Sequence, residues 1–243
     1  HCVTRRQRQM CIRDRSNMEL TEIPIRFNHV SGGFNFYNNE LTSLEGSPKY
    51  VGGEFVVNSC NLTNLKGGPK EVGGYFNCKS NNLTSLGGSP DKVGGAFYCG
   101  RNNLTSLKGG PESVGNEFSC WNNELSSLEG CPKYVGKDFD CQSNKLTNLL
   151  GSPKYVGGNF DCTSNKIYTL EGFNSEIVDF FYCYDNPIEN LINNGVDSDF
   201  IKAFNAFKVV KDKVVNLKRL KYVMYIFGEP VYLDLIKKHY TIV

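Results

Sequence analysis

The chain has 243 residues, 40% of them hydrophobic, with 25 glycines and a formal net charge of +2. That length allows one large domain or two small ones, and the hydrophobic share is enough for a substantial core. No run of about 18 apolar residues occurs, which excludes a membrane-spanning helix, and no phosphate-binding glycine loop or nucleophile elbow is present.

Residues 1–16, "HCVTRRQRQMCIRDRS", share neither the composition nor the rhythm of the rest of the chain. The "MCIRDR" stretch resembles a translated sequencing-adapter fragment. Residues 1–16 are therefore expected to be non-native and disordered, with Met18 as a candidate start. Setting aside Arg5, Arg6, Arg8, Arg13, Arg15 and Asp14 takes 27 basic residues to 22 and 25 acidic ones to 24. The remainder is slightly acidic, which excludes a basic nucleic-acid footprint. No apolar secretory stretch precedes it, so the protein is expected to stay where it is made.

Residues 17–29 hold a partial unit, with Leu20 and Ile23 spaced like the leucines of the full repeats, and are expected to cap the N-terminal end. From residue 30 to 191 one phrase, V-G-G-x-F-x-C-x-x-N-x-L-T-S-L-x-G-x-P, begins eight times at 21-residue spacing, from Val30 to Ile177. An unslipping period of this length predicts a solenoid whose coils bury their apolar faces against their neighbours. Phe34, Phe55, Phe76, Phe97, Phe118, Phe139, Phe160 and Phe181 make one apolar column and predict an aromatic spine. Two further columns, from Leu41 to Ile188 and from Leu44 to Leu191, complete the core. Gly46 to Gly172, followed by prolines, turn the chain and forbid a helix there.

The F-x-C-x-x-N-x-L segment resembles the second half of the leucine-rich-repeat signature, with Cys60 replacing Asn in the column of Asn39, Asn81, Asn102, Asn123, Asn144, Asn165 and Asn186. Gly replaces the signature's first Leu, so a sharper bend is expected before each strand. The unit is similar to that of uncharacterised bacteriophage and large-virus repeat proteins, and more distantly to the leucine-rich domains of bacterial effector ubiquitin ligases. The fold expected is thus a β-solenoid of leucine-rich-repeat type, with one parallel strand per 21-residue coil and few helices in the repeats. The expected location is the cytoplasm, that of a host cell if the chain is viral.

Cys78, Cys99, Cys120, Cys141, Cys162 and Cys183 form a single file about 4.8 Å apart. Disulfides between neighbours are not expected, because that spacing exceeds the roughly 3.8 Å a bridge prefers between Cβ atoms. A one-dimensional file offers no tetrahedron for a metal, so reduced packing thiols in a reducing compartment are expected, with no cofactor or metal. Cys183-Tyr184-Asp185 matches the Cys-x-Asp nucleophile of the effector ligases, but the cysteine lies on the packing column and too little chain follows. His29 and His239 suggest no catalytic pairing.

Strand alternation turns the residues flanking Phe and Cys outward, across what would be the concave face. Tyr37, Val56, Tyr75, Lys79, Tyr98, Trp121, Asp138, Asp140, Asp161, Tyr182 and Tyr184 lie on it. A row of exposed aromatics predicts a protein-binding surface. The bland alternative is that Tyr simply favours strands. Asp138, Asp140 and Asp161 are read as a solvated acidic patch; a calcium site, the alternative, would lack its loop glycine and bidentate Glu.

Residues 192–243 switch to three- and four-residue apolar spacing and predict a helical C-terminal cap. Phe200, Phe204 and Phe207 are expected on one face, and Gly228 with Pro230 stops a second helix. The function expected is a non-catalytic, monomeric protein–protein interaction module, without nucleic-acid or membrane partners. Alternatives are a structural or assembly spacer, virion-associated, contacting partners through the helical end, and last an effector-type ubiquitin ligase.

Overall fold

The computed structural model describes residues 12–24, 26, 28–192, 196–211 and 213–243. The repeats wind into a parallel β-solenoid with about 21 residues per turn, making seven turns between Val30 and Ile177. Each coil carries two short strands. One sheet has nine strands, from Ile12–Asp14 and Gly33–Asn35 through pairs such as Phe97–Tyr98 to Phe181–Tyr182. The other has eight, from His29–Val30 to Glu176–Ile177. They are called here the phenylalanine sheet and the valine sheet.

Register is fixed at 21 throughout, so Phe118 pairs with Phe97 and Phe139, and Val135 with Val114 and Val156. The phenylalanines are fully buried and form the expected spine, with centroids of successive rings 4.9 to 5.7 Å apart. Most of these pairs lie within 10° of parallel, an offset stack worth about 0.5–1.5 kcal/mol per pair beyond burial. Both leucine columns are buried beside them.

The asparagine column joins the coils. Asn102 accepts at Oδ1 from Leu83 N–H at 3.0 Å, and its Nδ2 donates to the carbonyls of Cys78 at 3.2 Å, Cys99 at 3.0 Å and Gly100 at 3.2 Å. Backbone groups left unpaired where the phenylalanine strand ends are thereby satisfied within one coil and across the next. Each asparagine follows a residue in the left-handed region, with φ from 52° to 55° between Asn38 and Asp185. In the second coil Cys60 stands in for Asn, and its Sγ donates to Phe36 O at 3.4 Å. The Leu41 N–H, whose counterparts elsewhere reach an asparagine Oδ1, here faces sulfur.

The glycines between the two strands have a steric cause. A Cβ on Gly94 would lie 2.3 Å from Gly73 O, and one on Gly115 would lie 1.9 Å from Gly94 O. The carbonyl of the coil below fills the space a side chain would need, which explains why Gly replaces the signature's Leu. This corner also splits each coil into two strands, where the sequence suggests one. Gly46, Gly67, Gly88, Gly109, Gly130, Gly151 and Gly172 have φ between 75° and 96°, and turn the chain after the second leucine.

The boundary at Ser16 does not hold for residues 12–16. Ile12–Asp14 pairs in parallel with Gly33–Asn35, placing Arg13 opposite Phe34. Arg15 N–H donates to Asn35 O at 2.8 Å and Asn17 N–H to Tyr37 O at 2.9 Å, so the ladder runs on into the segment expected to be disordered. Residues 1–11 lie outside the described residues.

At the other end, a 3-10 turn at Pro187–Asn190 stops the coiling. Helices α1 (Ser198–Ala206), α2 (Leu217–Ile226) and α3 (Leu233–Ile236) come next. A three-stranded sheet that the apolar spacing does not reveal, Val210–Lys211, Val214–Val215 and Thr241–Ile242, holds them together. Asp197 caps α1, accepting from Asp199 and Phe200 N–H at 3.0 and 2.9 Å, and Asn216 caps α2. Phe200 and Phe204 are buried with Leu220, Val223 and Met224, but Phe207 falls past the helix end and is exposed. The cap closes the sheet edge: Phe181 N–H donates to Val196 O at 3.0 Å in an antiparallel bridge. Tyr240 OH donates to Tyr168 O and Asn205 Nδ2 to Phe173 O, both at 2.8 Å. Among the described residues no helix is long and apolar enough to cross a membrane.

Unfolding measurements check this packing. Gly115→Ala is expected to cost more than about 2 kcal/mol in urea unfolding, because the obstruction is backbone. Gly87→Ala, whose Cβ would meet only Ser85 Oγ at 3.3 Å, should stay within about 1 kcal/mol of the parent. Cys60→Asn should raise stability by about 1 kcal/mol by completing the carboxamide column; a lower unfolding midpoint would refute the role given to that column.

Candidate recognition face

Three outward columns cross the phenylalanine sheet, one residue before Phe, one after it and one after the Cys position. Their triplets change from coil to coil while the inward residues repeat. The third reads Tyr75, Asn77, Lys79; the fourth Ala96, Tyr98, Gly100; the fifth Glu117, Ser119, Trp121; the eighth Phe180, Tyr182, Tyr184.

Small residues on one coil receive large ones from the next. A Cβ on Gly100 would lie 2.5 Å from Cδ1 and Nε1 of Trp121, so the indole rests on that glycine. The Arg101 guanidinium stands 5.5 Å from the indole centroid, within cation–π range. Tyr75 meets Tyr98 edge-on at 6.2 Å, and Tyr98 OH donates to Glu117 Oε2 at 3.2 Å. Burial first, and the Glu117 charge second, push the Tyr98 hydroxyl up to about 12. Tyr98 and Trp121 are thus half-buried anchors, whereas Tyr37, Tyr75, Lys79 and Tyr184 are exposed. Val56, expected on this surface, is buried by its neighbours. On the last coil Phe180, Tyr182 and Tyr184 run side by side, with centroid separations of 6.3 and 6.2 Å.

Between the aromatic groups lie the carboxylates. Asp140 and Asp161 are register partners on adjacent coils. Asp140 accepts from Ser119 Oγ at 2.9 Å and from Gln142 N–H at 3.1 Å, while Asp161 accepts from Thr163 N–H at 2.9 Å. Asp138 accepts from Asn159 N–H at 2.7 Å. Glu117, one residue before Phe118 and absent from the expected set, joins them. Burial raises the Glu117 carboxyl, with Asp140 and Asp138 adding to the rise, and burial likewise raises Asp140. No lysine or arginine among the described residues forms an ion pair with these four. Among the described residues no three of His, Cys, Asp and Glu are grouped to hold a metal ion.

The cysteine file faces inward as expected. Cys78, Cys99, Cys120, Cys141, Cys162 and Cys183 are fully buried, and the file carries thiols rather than disulfides. Burial pushes all six thiols far above the ordinary range, and the thiolate a nucleophile needs is correspondingly rare. Cys131, outside the file, is half-buried, donates to Gly151 O at 3.0 Å and is pushed up to about 12 by burial.

Comparison of the chain with protein-family models, curated proteins and solved structures gives no match. The geometry of the face is therefore the guide to its chemistry.

Iodoacetamide at pH 8 should leave the six file cysteines unmodified in the folded protein and alkylate them all in guanidinium, as read by peptide mass spectrometry. Rapid modification of Cys183 alone in the native state would contradict its burial.

Proposed function

We propose that the chain is a non-catalytic interaction module that holds a protein partner on the outer face of the phenylalanine sheet. One observation carries the reading: the three outward columns of that sheet change from coil to coil and place Tyr75, Tyr98 and Trp121 on adjacent coils above a repeated interior. Half-buried Tyr and Trp lose little side-chain freedom on binding and supply large contact areas, which is why such residues dominate interface energetics. The thiols of the inward file suit a reducing compartment and favour a cytoplasmic location.

A second reading, an assembly element contacting partners through its cap, is favoured by a separate observation. Among the described residues, seven of the sixteen exposed large hydrophobic ones lie between Phe207 and Val243.

Replacing Tyr98 and Trp121 together with Ser is expected to leave the far-ultraviolet spectrum unchanged and to weaken partner capture from a lysate by at least about 30-fold, the loss of a single anchor of about 2 kcal/mol. Equal capture by the folded double variant would defeat the sheet-face reading.

A further inference from the structure

The cap's outer surface and the solenoid's outer face are complementary in charge. Residues 196–243 hold nine lysines and arginines against five acidic residues, whereas residues 17–195 hold thirteen against nineteen. The cations are not spread evenly over the cap. On α2, Lys218, Lys221, Tyr222, Tyr225 and Ile226 are all exposed, and the helix has no acidic residue. Its opposite side, Leu220, Val223 and Met224, is already used in the cap core. Tyr222 is propped edge-on by Phe207 at 5.1 Å, and Tyr225 is 83% exposed, the most solvent-open large hydrophobic residue described. Across the gap after α2, α3 adds Tyr232 and Leu235, with Asp234 the one carboxylate among them. An unpartnered helix face with this makeup calls for a partner that offers both aromatic contact and negative charge.

The phenylalanine sheet offers that combination. Asp138, Asp140 and Asp161 lie between the Tyr98–Trp121 anchors and the Phe180–Tyr182–Tyr184 row, with Glu117 beside Trp121, and none of the four has an ion-pair partner among the described residues. We propose that the partner on this face is a second copy of the chain, whose α2 docks its lysines and tyrosines between the two aromatic groups. This rests on the reading of the sheet face as a docking surface and names its occupant. The contact is heterologous: donor and acceptor surfaces differ, so each molecule that offers a cap keeps a free face, and the assembly grows as an open head-to-tail chain. Burial of Glu117 and Asp140 strengthens the match, because an arriving ammonium offsets the cost of a charge at those two positions.

Sedimentation velocity of the full chain tests this. At about 20 mM salt, the weight-average sedimentation coefficient should climb between about 1 and about 100 µM protein, and about 300 mM salt should weaken association at least tenfold. Two neutralised variants decide the geometry. Lys218→Ala with Lys221→Ala and Tyr225→Ser disables the cap but keeps the face; Asp138→Asn with Asp161→Asn disables the face but keeps the cap. Each alone should remain monomeric, and their mixture should yield a 1:1 dimer and nothing larger. Parent protein that stays monomeric at low salt overturns the proposal, as does association that either variant retains in full. Monomeric protein that still captures a foreign partner through Tyr98 and Trp121 leaves the sheet-face reading standing and removes only self-docking. Cosedimentation with phosphatidylserine vesicles that depends on Lys218 and Lys221, without self-association, would assign α2 to lipid and likewise overturn it.

Discussion

A buried carboxamide in every coil but the second sets the terms for the rest of the molecule. Where the chain leaves the phenylalanine strand it turns through a left-handed residue, and groups near that turn such as the Cys78 and Cys99 carbonyls and the Leu83 N–H are left for a side chain to satisfy. Asn102 and its equivalents answer with four hydrogen bonds that span two coils. An unpaired buried polar group costs about 1–3 kcal/mol, so a slipped coil would forfeit several such groups at once. The 21-residue register is thus enforced by polar satisfaction, and the stacked rings and leucines fill the space that register defines.

A frame held from inside leaves its outer columns free of structural duty. Residues before and after each Phe can be Gly, Tyr, Glu or Asp without disturbing the core, and the strands present them at fixed separations. This rigidity makes half-buried groups usable for recognition. Trp121 needs no reorganisation to offer its face, because Gly100 and Arg101 already hold it. Burial raises the Glu117 and Asp140 carboxyls, and an approaching cation offsets the cost of a charge there.

The same physics decides which parts of the structure the sequence reveals and which it hides. The columns of Phe, Leu, Asn and Cys were legible because each residue type is demanded by an identical environment, even to Cys60 taking an Asn position. The valine strand was not legible, because a two-residue strand has no alternation to read and its first position varies freely. Arg13 and Arg15 hid the first coil, since they bear no likeness to the Phe and Cys of their columns; pairing there is carried by backbone groups and by Asn39, whose Oδ1 accepts from Leu20 N–H at 2.9 Å. The cap's small sheet escaped notice for the reason the valine strands did. On the candidate face, exposed tyrosines were foreseeable from alternation alone. The burial of Val56 and the partnership of Tyr98 with Glu117 depend on which side chains the adjoining coils contribute, and that is a matter of three-dimensional neighbours rather than period.

The glycine corners matter beyond sterics. Because the carbonyl of one coil occupies the space beside the corner glycine of the next, coils that carry this glycine present the same corner to one another. Unequal crossing-over within such a gene would lengthen or shorten the rod by whole turns and reorder its outward triplets while leaving the interior intact. A new surface could then arise by recombination in one event, without passing through an unfolded ancestor.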